Sequence, residues 1–261
     1  MNLSQELSVA ENAALQAGRI ISQYYKRKVA VDHKSPEQPV TVADREANDM
    51  IKSILLGAFP QDGWLSEETL DTSDRLKKDR CWIIDPLDGT KEFIAGIPEF
   101  AVSIGLSIKN QAVLGVVYNP VKDELYTAIK GCGAFFNRQK ISTTQTSNLL
   151  DARFVVSRSE TKRGDWKAFE NQIGQLIISG GLAYKMCEVA KGSADASFSL
   201  SPKSEWDLAA SVVIVEEAGG IVRTPDNSVF LLNQSNPRVK GIIYSNRPLY
   251  EPIRELIAKN L

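Results

Sequence analysis

Histidine and cysteine are scarce in this chain, and neither sign of charge dominates. Its 261 residues include one histidine, His33, and three cysteines, none in C-x-x-C spacing. A zinc or iron centre built on imidazoles is thereby excluded, and so is a Ser-His-Asp triad unless His33 serves it. His33 sits in the polar stretch at 32–35, where surface solvation is its expected role. Three cysteines make no disulfide framework and indicate a reducing compartment. No apolar run reaches membrane-spanning length, so no integral membrane association is expected. Lys and Arg number 31 against 32 Asp and Glu, a net charge of −1. No basic stripe offers a surface to a nucleic-acid polymer. Residues 1–10 carry Glu6 and no basic n-region, so they read as the start of an amphipathic helix and not as a signal peptide. A cytoplasmic protein is expected, with peripheral contact at an inner membrane left open.

What the chain does have is carboxylates at turn positions. Residues 81–93 read CWIIDPLDGTKEF: a short apolar run delivers Asp85 and Asp88, and Gly89 and Thr90 follow at once. Acids at a strand end can hold hard cations through oxygen, and a Gly-led helix start offers bare N–H groups to an anion. The plainer reading is that Asp-Pro and Asp-Gly are ordinary turn dipeptides. Three further segments supply acids: LSEE at 65–68, PVTVAD at 39–44 and EWDLAA at 205–210. Taken singly, Glu67 and Glu68 read as solvated loop charges and Asp207 as a helix cap. Asp44 closes a short strand-like run ahead of an amphipathic helix.

Jointly the four segments are far more specific. VTVAD (40–44), LSEE (65–68), IIDPLDGT (83–90) and WDLAASVVIVEEAGG (206–220) resemble, in order and spacing, the inositol monophosphatase superfamily of metal-dependent, lithium-sensitive phosphatases. The resemblance implies Glu67 and Asp85, with the Leu87 carbonyl, as ligands of a first Mg²⁺. Asp85, Asp88 and Asp207 would hold a second. A third ion has room near Glu67 and Glu68, and Glu68 is counted with the catalytic residues. Thr90 and Asp44 are implied as the pair that orients the attacking water, and the amides of Gly89 and Thr90 as the phosphate cradle. The substrate contacts expected are Glu67, Leu87, Asp88, Gly89, Thr90, Ser157, Lys185 and Asp207. Elementary electrostatics agrees: a phosphate monoester is a dianion, and a pocket of acids needs cations before it can accept one.

Two covalent-phosphatase patterns are present in outline. Asp85 and Asp88 resemble an aspartyl nucleophile motif, but their spacing is three where that motif has two. Cys132 and Arg138 have the spacing of cysteine-dependent phosphatase loops, but Phe135 and Phe136 lie between them. Bulky rings would block the backbone nest a phosphate needs, and Cys132 reads instead as part of a Gly-Cys-Gly turn.

Substrate is the finer question. KEFI at 91–94 and VSRS at 156–159 resemble the bacterial CysQ-type 3′(2′),5′-bisphosphate nucleotidases. Inositol phosphatases place a Glu seven residues before the late Asp to accept ring hydroxyls, and Leu200 stands there. An apolar residue accepts no hydrogen bond and suits a nucleoside face. GIPEFAVSIG at 96–105 is closer to the inositol phosphatases. The resemblance therefore implies removal of the 3′-phosphate of adenosine 3′,5′-bisphosphate, a by-product of sulfate assimilation. Arg158, Lys162, Arg163 and Lys185 are candidates for the second phosphate. The alternatives are an inositol or fructose-bisphosphate phosphatase, or a non-enzymatic metal-binding regulator on the same fold. A homodimer is among the states the sequence allows.

Periodicity predicts helices over 3–25, 44–58, 164–174, 182–191 and 207–218, and strands over 81–84, 100–109, 112–118, 124–129, 153–157, 175–179, 221–223 and 240–244. The strands up to residue 129 read as an antiparallel meander, and residues 142–148 as a linker. Together they give an α/β chain with an α+β N-terminal half (1–145) and a more parallel α/β half (146–261). The resemblance implies a layered α-β-α-β-α architecture with the site between the halves.

Overall fold

The computed structural model describes residues 2–27, 30–35 and 38–260. Helix α1 (Ser4–Tyr24) buries Ala10, Ala13, Ala14, Ala17 and Ile21, a narrow seam of small residues at helical spacing. A hairpin of β1 (Val31–Ser35) and β2 (Gln38–Thr41) leads into α2 (Val42–Ala58). This helix starts two residues before the expected boundary. Thr41 and Asp44 form a capping box, so Asp44 lies inside the first helical turn, not at the end of a strand.

A seven-stranded sheet follows. It comprises β3 (Gly63–Ser66), β4 (Arg80–Asp88), β5 (Ala101–Ile108), β6 (Gln111–Asn119), β7 (Glu124–Ile129), β8 (Gly133–Phe136) and β9 (Gln139–Lys140), in that spatial order. The expected meander is present, but β3 was not legible and pairs parallel to β4. Strand β4 runs four residues past its expected end. Its register with β5 shifts between Asp85 and Asp88, and this irregularity absorbs Pro86. Helix α3 (Thr90–Ile94) is a single turn and a half beyond it.

The second sheet holds β10 (Arg153–Val156), β11 (Gln175–Ile178), β12 (Ala196–Ser199), β14 (Ile221–Arg223) and β16 (Ile242–Ser245), ordered β11-β10-β12-β16-β14; β13 (Lys203–Ser204) pairs separately with β15 (Arg238–Val239). It is mixed: β10 pairs parallel with β11 and β12, whereas β16 pairs antiparallel with β12 and β14. Between the sheets lie α5 (Leu182–Ala190) and α6 (Ala209–Glu217), and α7 (Tyr250–Asn260) covers the outer face. The short α4 (Arg158–Arg163) follows β10, and the helix expected at 164–174 is a run of turns instead.

Period-two alternation makes the layers. Val155, Ile242 and Tyr244 point to the inter-sheet core with α5 and α6, while Phe154, Val156 and Ile243 face Trp166, Phe169 and α7. On the other sheet Trp82, Ile84, Val102 and Ile104 pack under α1 and α2. The order is α-β-α-β-α, as the resemblance implied. Helix α6 is buried on nearly every side, which its run AASVVIV requires: Ser211 alone is polar there, and its hydroxyl donates to the Leu208 carbonyl.

Candidate active site

The acids converge because of strand register. Ser66 pairs with Ile84 across the parallel β3–β4 ladder, and the Glu67 amide donates to the Ile84 carbonyl at 3.2 Å. The next residues, Glu67 and Asp85, therefore emerge side by side. Asp207 arrives from the far end of the chain, in a 3-10 turn (Glu205–Asp207) held against β5 by the Ser103 hydroxyl, which donates to the Trp206 carbonyl at 3.4 Å. One carboxylate oxygen each from Glu67, Asp85 and Asp207 lie within 4.8 Å of one another. Asp85 is 3% exposed. Its Oδ1 accepts the Leu87 amide at 3.0 Å, which fixes the turn through Pro86.

Asp88 lines the same cavity outside that closest cluster. Its carboxylate accepts the amides of Leu182, Ala183 and Tyr184 at 2.9, 2.7 and 3.3 Å, capping the N-terminus of α5. Gly181, with φ +60°, permits the approach: a Cβ there would stand 2.7 Å from Asp88 Oδ2. The Thr90 hydroxyl lies 3.0 Å from Asp44 Oδ1 and 3.1 Å from the Leu87 carbonyl. Asp44 Oδ2 accepts both the amide and the hydroxyl of Thr41, so the capping box aims the other oxygen at Thr90. Two residues 46 apart in sequence are thus one hydrogen-bonded pair.

The cavity, of about 300 Å³, is lined by Glu67, Asp85, Leu87, Asp88, Gly89, Thr90, Ser157, Lys185 and Asp207 among others. Of the sequence candidates, Glu68 faces a separate depression beside Trp206 and Pro237. Arg158 is engaged by Glu99 and Glu92, and Lys162 is exposed; neither lines the cavity, whereas Arg163 and Lys185 do. The Ser157 side chain accepts the Glu160 amide as the cap of α4. Leu200 lies in an adjoining cavity. Sequence reasoning missed Glu160 and Lys203 on the wall; Lys203 stands four residues before Asp207, but nothing local marks Glu160. The Cys132 loop is unavailable to a phosphate by a second route, since the Gly131 and Gly133 amides donate to Glu217 at 2.7 and 2.8 Å.

Burial, then Glu67, Asp88 and Asp207, push the Asp85 carboxyl well above its usual range. Burial, opposed by the α5 amides and Lys185, raises Asp88 to about 6. Burial and the charges of Glu67 and Asp88 raise Asp207 to about 7. Burial raises Asp44 as well, against the hydrogen bonds from Thr41 and Thr90. Such a cluster is repulsive until a cation joins it, and its donors are all oxygen, which fits a hard ion such as Mg²⁺.

That repulsion has a measurable sign. Folded-state pKa values above the unfolded ones mean the folded chain keeps protons the unfolded chain has lost. Stability of the metal-free protein is therefore expected to fall as pH rises through about 4 to 7, the window set by Asp88 and Asp207. Added Mg²⁺ should raise the melting temperature more at pH 8 than at pH 5. Scanning calorimetry with and without Mg²⁺ checks this; a metal-free melting temperature that climbs between pH 5 and 8 would contradict it.

A model of the inositol monophosphatase family matches residues 2–260. The chain belongs to that family. It is 37% identical over 240 residues to inositol monophosphatase 3 of Solanum lycopersicum, covering 88% of this chain and 89% of the relative. It is 32% identical over 267 residues to the fructose-1,6-bisphosphatase/inositol-1-monophosphatase of Aquifex aeolicus, covering 99% and 97%. The structure of the extragenic suppressor protein suhB from Bartonella henselae superposes with a TM-score of 0.86 at 31% identity, covering 98% of this chain and 100% of that one. The family places this chain among metal-dependent phosphatases. No helix among the described residues is long and apolar enough to cross a membrane.

Proposed function

We propose that this inositol monophosphatase family member is a Mg²⁺-dependent phosphatase whose substrate bears a second anionic group, with adenosine 3′,5′-bisphosphate as that substrate and AMP as product. The observation that carries the reading is the two-signed cavity. Glu67, Asp85, Asp88 and Asp207 line it together with Lys185, Lys203 and Arg163. The acids would hold two Mg²⁺ ions, with the Leu87 carbonyl as a further oxygen donor. Bound there, Mg²⁺ supplies a more acidic water and neutralises charge on the phosphoryl and leaving oxygens. Thr90, held by Asp44, fixes the position of the attacking water, and the amides of Gly89 and Thr90 hold the phosphate. Lys185 is 5% exposed, which strengthens its attraction for an anion. The site lies between the halves 1–145 and 146–261, and the protein acts in a reducing, cytoplasmic compartment.

Leu200 supports the same reading, because it lines the adjoining cavity with Trp166 and Phe198 and puts no acceptor into the acidic one. The names of the relatives favour a second reading, hydrolysis of inositol 1-phosphate. The two readings share the metal chemistry and differ in specificity. The kcat/KM for adenosine 3′,5′-bisphosphate is expected to exceed that for inositol 1-phosphate by at least about tenfold, ~1.4 kcal/mol of differential transition-state binding. AMP should be a poor substrate, because its 5′-phosphate is the positioning group. Equal or faster turnover of inositol 1-phosphate would establish the second reading instead.

A further inference from the structure

Glu160, in the first turn of α4, is a buried anion on the wall of a cavity that must also admit an anion. It is 5% exposed. Its Oε1 accepts the Ser199 hydroxyl at 2.7 Å and the Lys203 ammonium at 3.1 Å. Among the described residues, its Oε2 receives no hydrogen bond. Burial alone would raise the carboxyl's pKa, but Lys185, Lys203 and Ser199 outweigh it and hold the group at about 2. Glu160 is therefore ionised at any working pH, and the bonds from Ser199 and Lys203 fix its orientation. With Arg163 it lines both the acidic cavity and a second one of about 310 Å³, walled by Trp166, Phe198 and Leu200. It thus stands at the border of the two.

A fixed carboxylate on a cavity wall, with one oxygen that receives no hydrogen bond among the described residues, repels phosphate and can only accept a hydrogen bond. A leaving group that extends from the acidic cavity into the half-apolar one passes the border that Glu160 and Arg163 share. We propose that Glu160 determines specificity by accepting a hydrogen bond from a sugar or polyol hydroxyl on the leaving group. This rests on the phosphatase reading above, but not on which phosphate ester is the natural one. The other role open to Glu160 is to neutralise Lys185 and Lys203. That role would affect alike any two esters with the same phosphate groups, whereas hydroxyl recognition distinguishes such a pair when they differ in the hydroxyl.

Two matched pairs make the test: adenosine 3′,5′-bisphosphate against its 2′-deoxy analogue, and inositol 1-phosphate against cyclohexyl phosphate. In at least one pair the wild-type protein should favour the hydroxylated member by about tenfold or more in kcat/KM, as for a site left with an unpaired buried group. In Glu160→Gln and Glu160→Ala that preference should shrink to about threefold or less, through loss on the hydroxylated member. Thermal melts establish that the variants fold. If Glu160→Ala does not, Glu160→Gln and Ser199→Ala, which frees the carboxylate to rotate, carry the comparison. An unchanged preference in folded variants, or no wild-type preference in either pair, overturns the assignment and leaves the phosphatase reading intact. Absence of wild-type turnover on all four esters overturns both.

Discussion

Asp85→Asn is expected to lower Mg²⁺-dependent turnover by at least about a hundredfold while the protein remains folded. Asp85 belongs to the cluster with Glu67 and Asp207 and also feels the charge of Asp88, so its carboxylate is central to any ions the cluster would hold. Asparagine keeps an oxygen that can accept the Leu87 amide, so the turn through Pro86 survives. It cannot supply the negative charge. The same change removes the most strongly repelled carboxylate in the site. The metal-free variant should therefore melt above the metal-free wild-type protein at pH 8 and gain less from added Mg²⁺. Mg²⁺ titrations of turnover, read beside thermal melts, test both halves. Near-normal turnover in folded Asp85→Asn would remove Asp85 from the metal site.

Gly115→Ala is expected to be the most damaging small substitution remote from the acids. Strand β6 passes directly beneath α6, and a Cβ at position 115 would stand 2.0 Å from the Ala210 carbonyl oxygen and 2.8 Å from its carbon. These are backbone atoms of a buried helix and cannot swing aside. Gly105 on β5 meets Ala209 in the same way, its Cβ falling 2.6 Å from the Ala209 Cβ. Overpacking of this kind costs about 3 kcal/mol or more, which lowers the melting temperature by roughly 6–12 °C in a chain of this size. Turnover should fall too, because α6 begins two residues after Asp207 and cannot retreat without carrying that acid away. Gly57→Ala is the control. A Cβ there meets nothing within 4 Å in the last turn of α2, so stability should hold or rise slightly. A Gly115→Ala protein that melts within 2 °C of the wild type (roughly the effect of 1 kcal/mol or less) would refute this packing.

Some elements were legible and others were not, for identifiable reasons. The strands Ala101–Ile108, Gln111–Asn119 and Glu124–Ile129 announce themselves, because local turns separate runs of strand-forming residues. The spacing of Trp166, Phe169 and Ile173 reads as a helix face, and all three are indeed buried together. The backbone there instead makes successive tight turns, with Lys167, Phe169 and Gln172 amides each donating three residues back. Burial periodicity identifies the face and leaves open which turn type presents it. Strands β3 and β12 were not legible, although β10 and β11, which were expected, are no longer than they are.

The site divides along the same line. Sequence alone determined the donor chemistry: acids without histidine, two of them framing Asp-Pro-Leu-Asp-Gly-Thr, and a late Trp-Asp ahead of an apolar helix. Those choices are local, because side-chain type and turn composition are written residue by residue. Only tertiary structure decided which acids share an ion-sized space. Parallel pairing set Glu67 beside Asp85, the Gly105 and Gly115 contacts brought Asp207 down onto them, and the capping box of α2 turned Asp44 toward Thr90. Glu68, adjacent in sequence, sits in the turn after β3 and lines only the neighbouring depression, whereas Glu67 lines both that depression and the acidic cavity. Glu160 and Lys203, on separate elements, became partners only when α4 and the 203–204 strand came together. Convergence of that kind depends on register and packing between distant segments, and no local pattern encodes it.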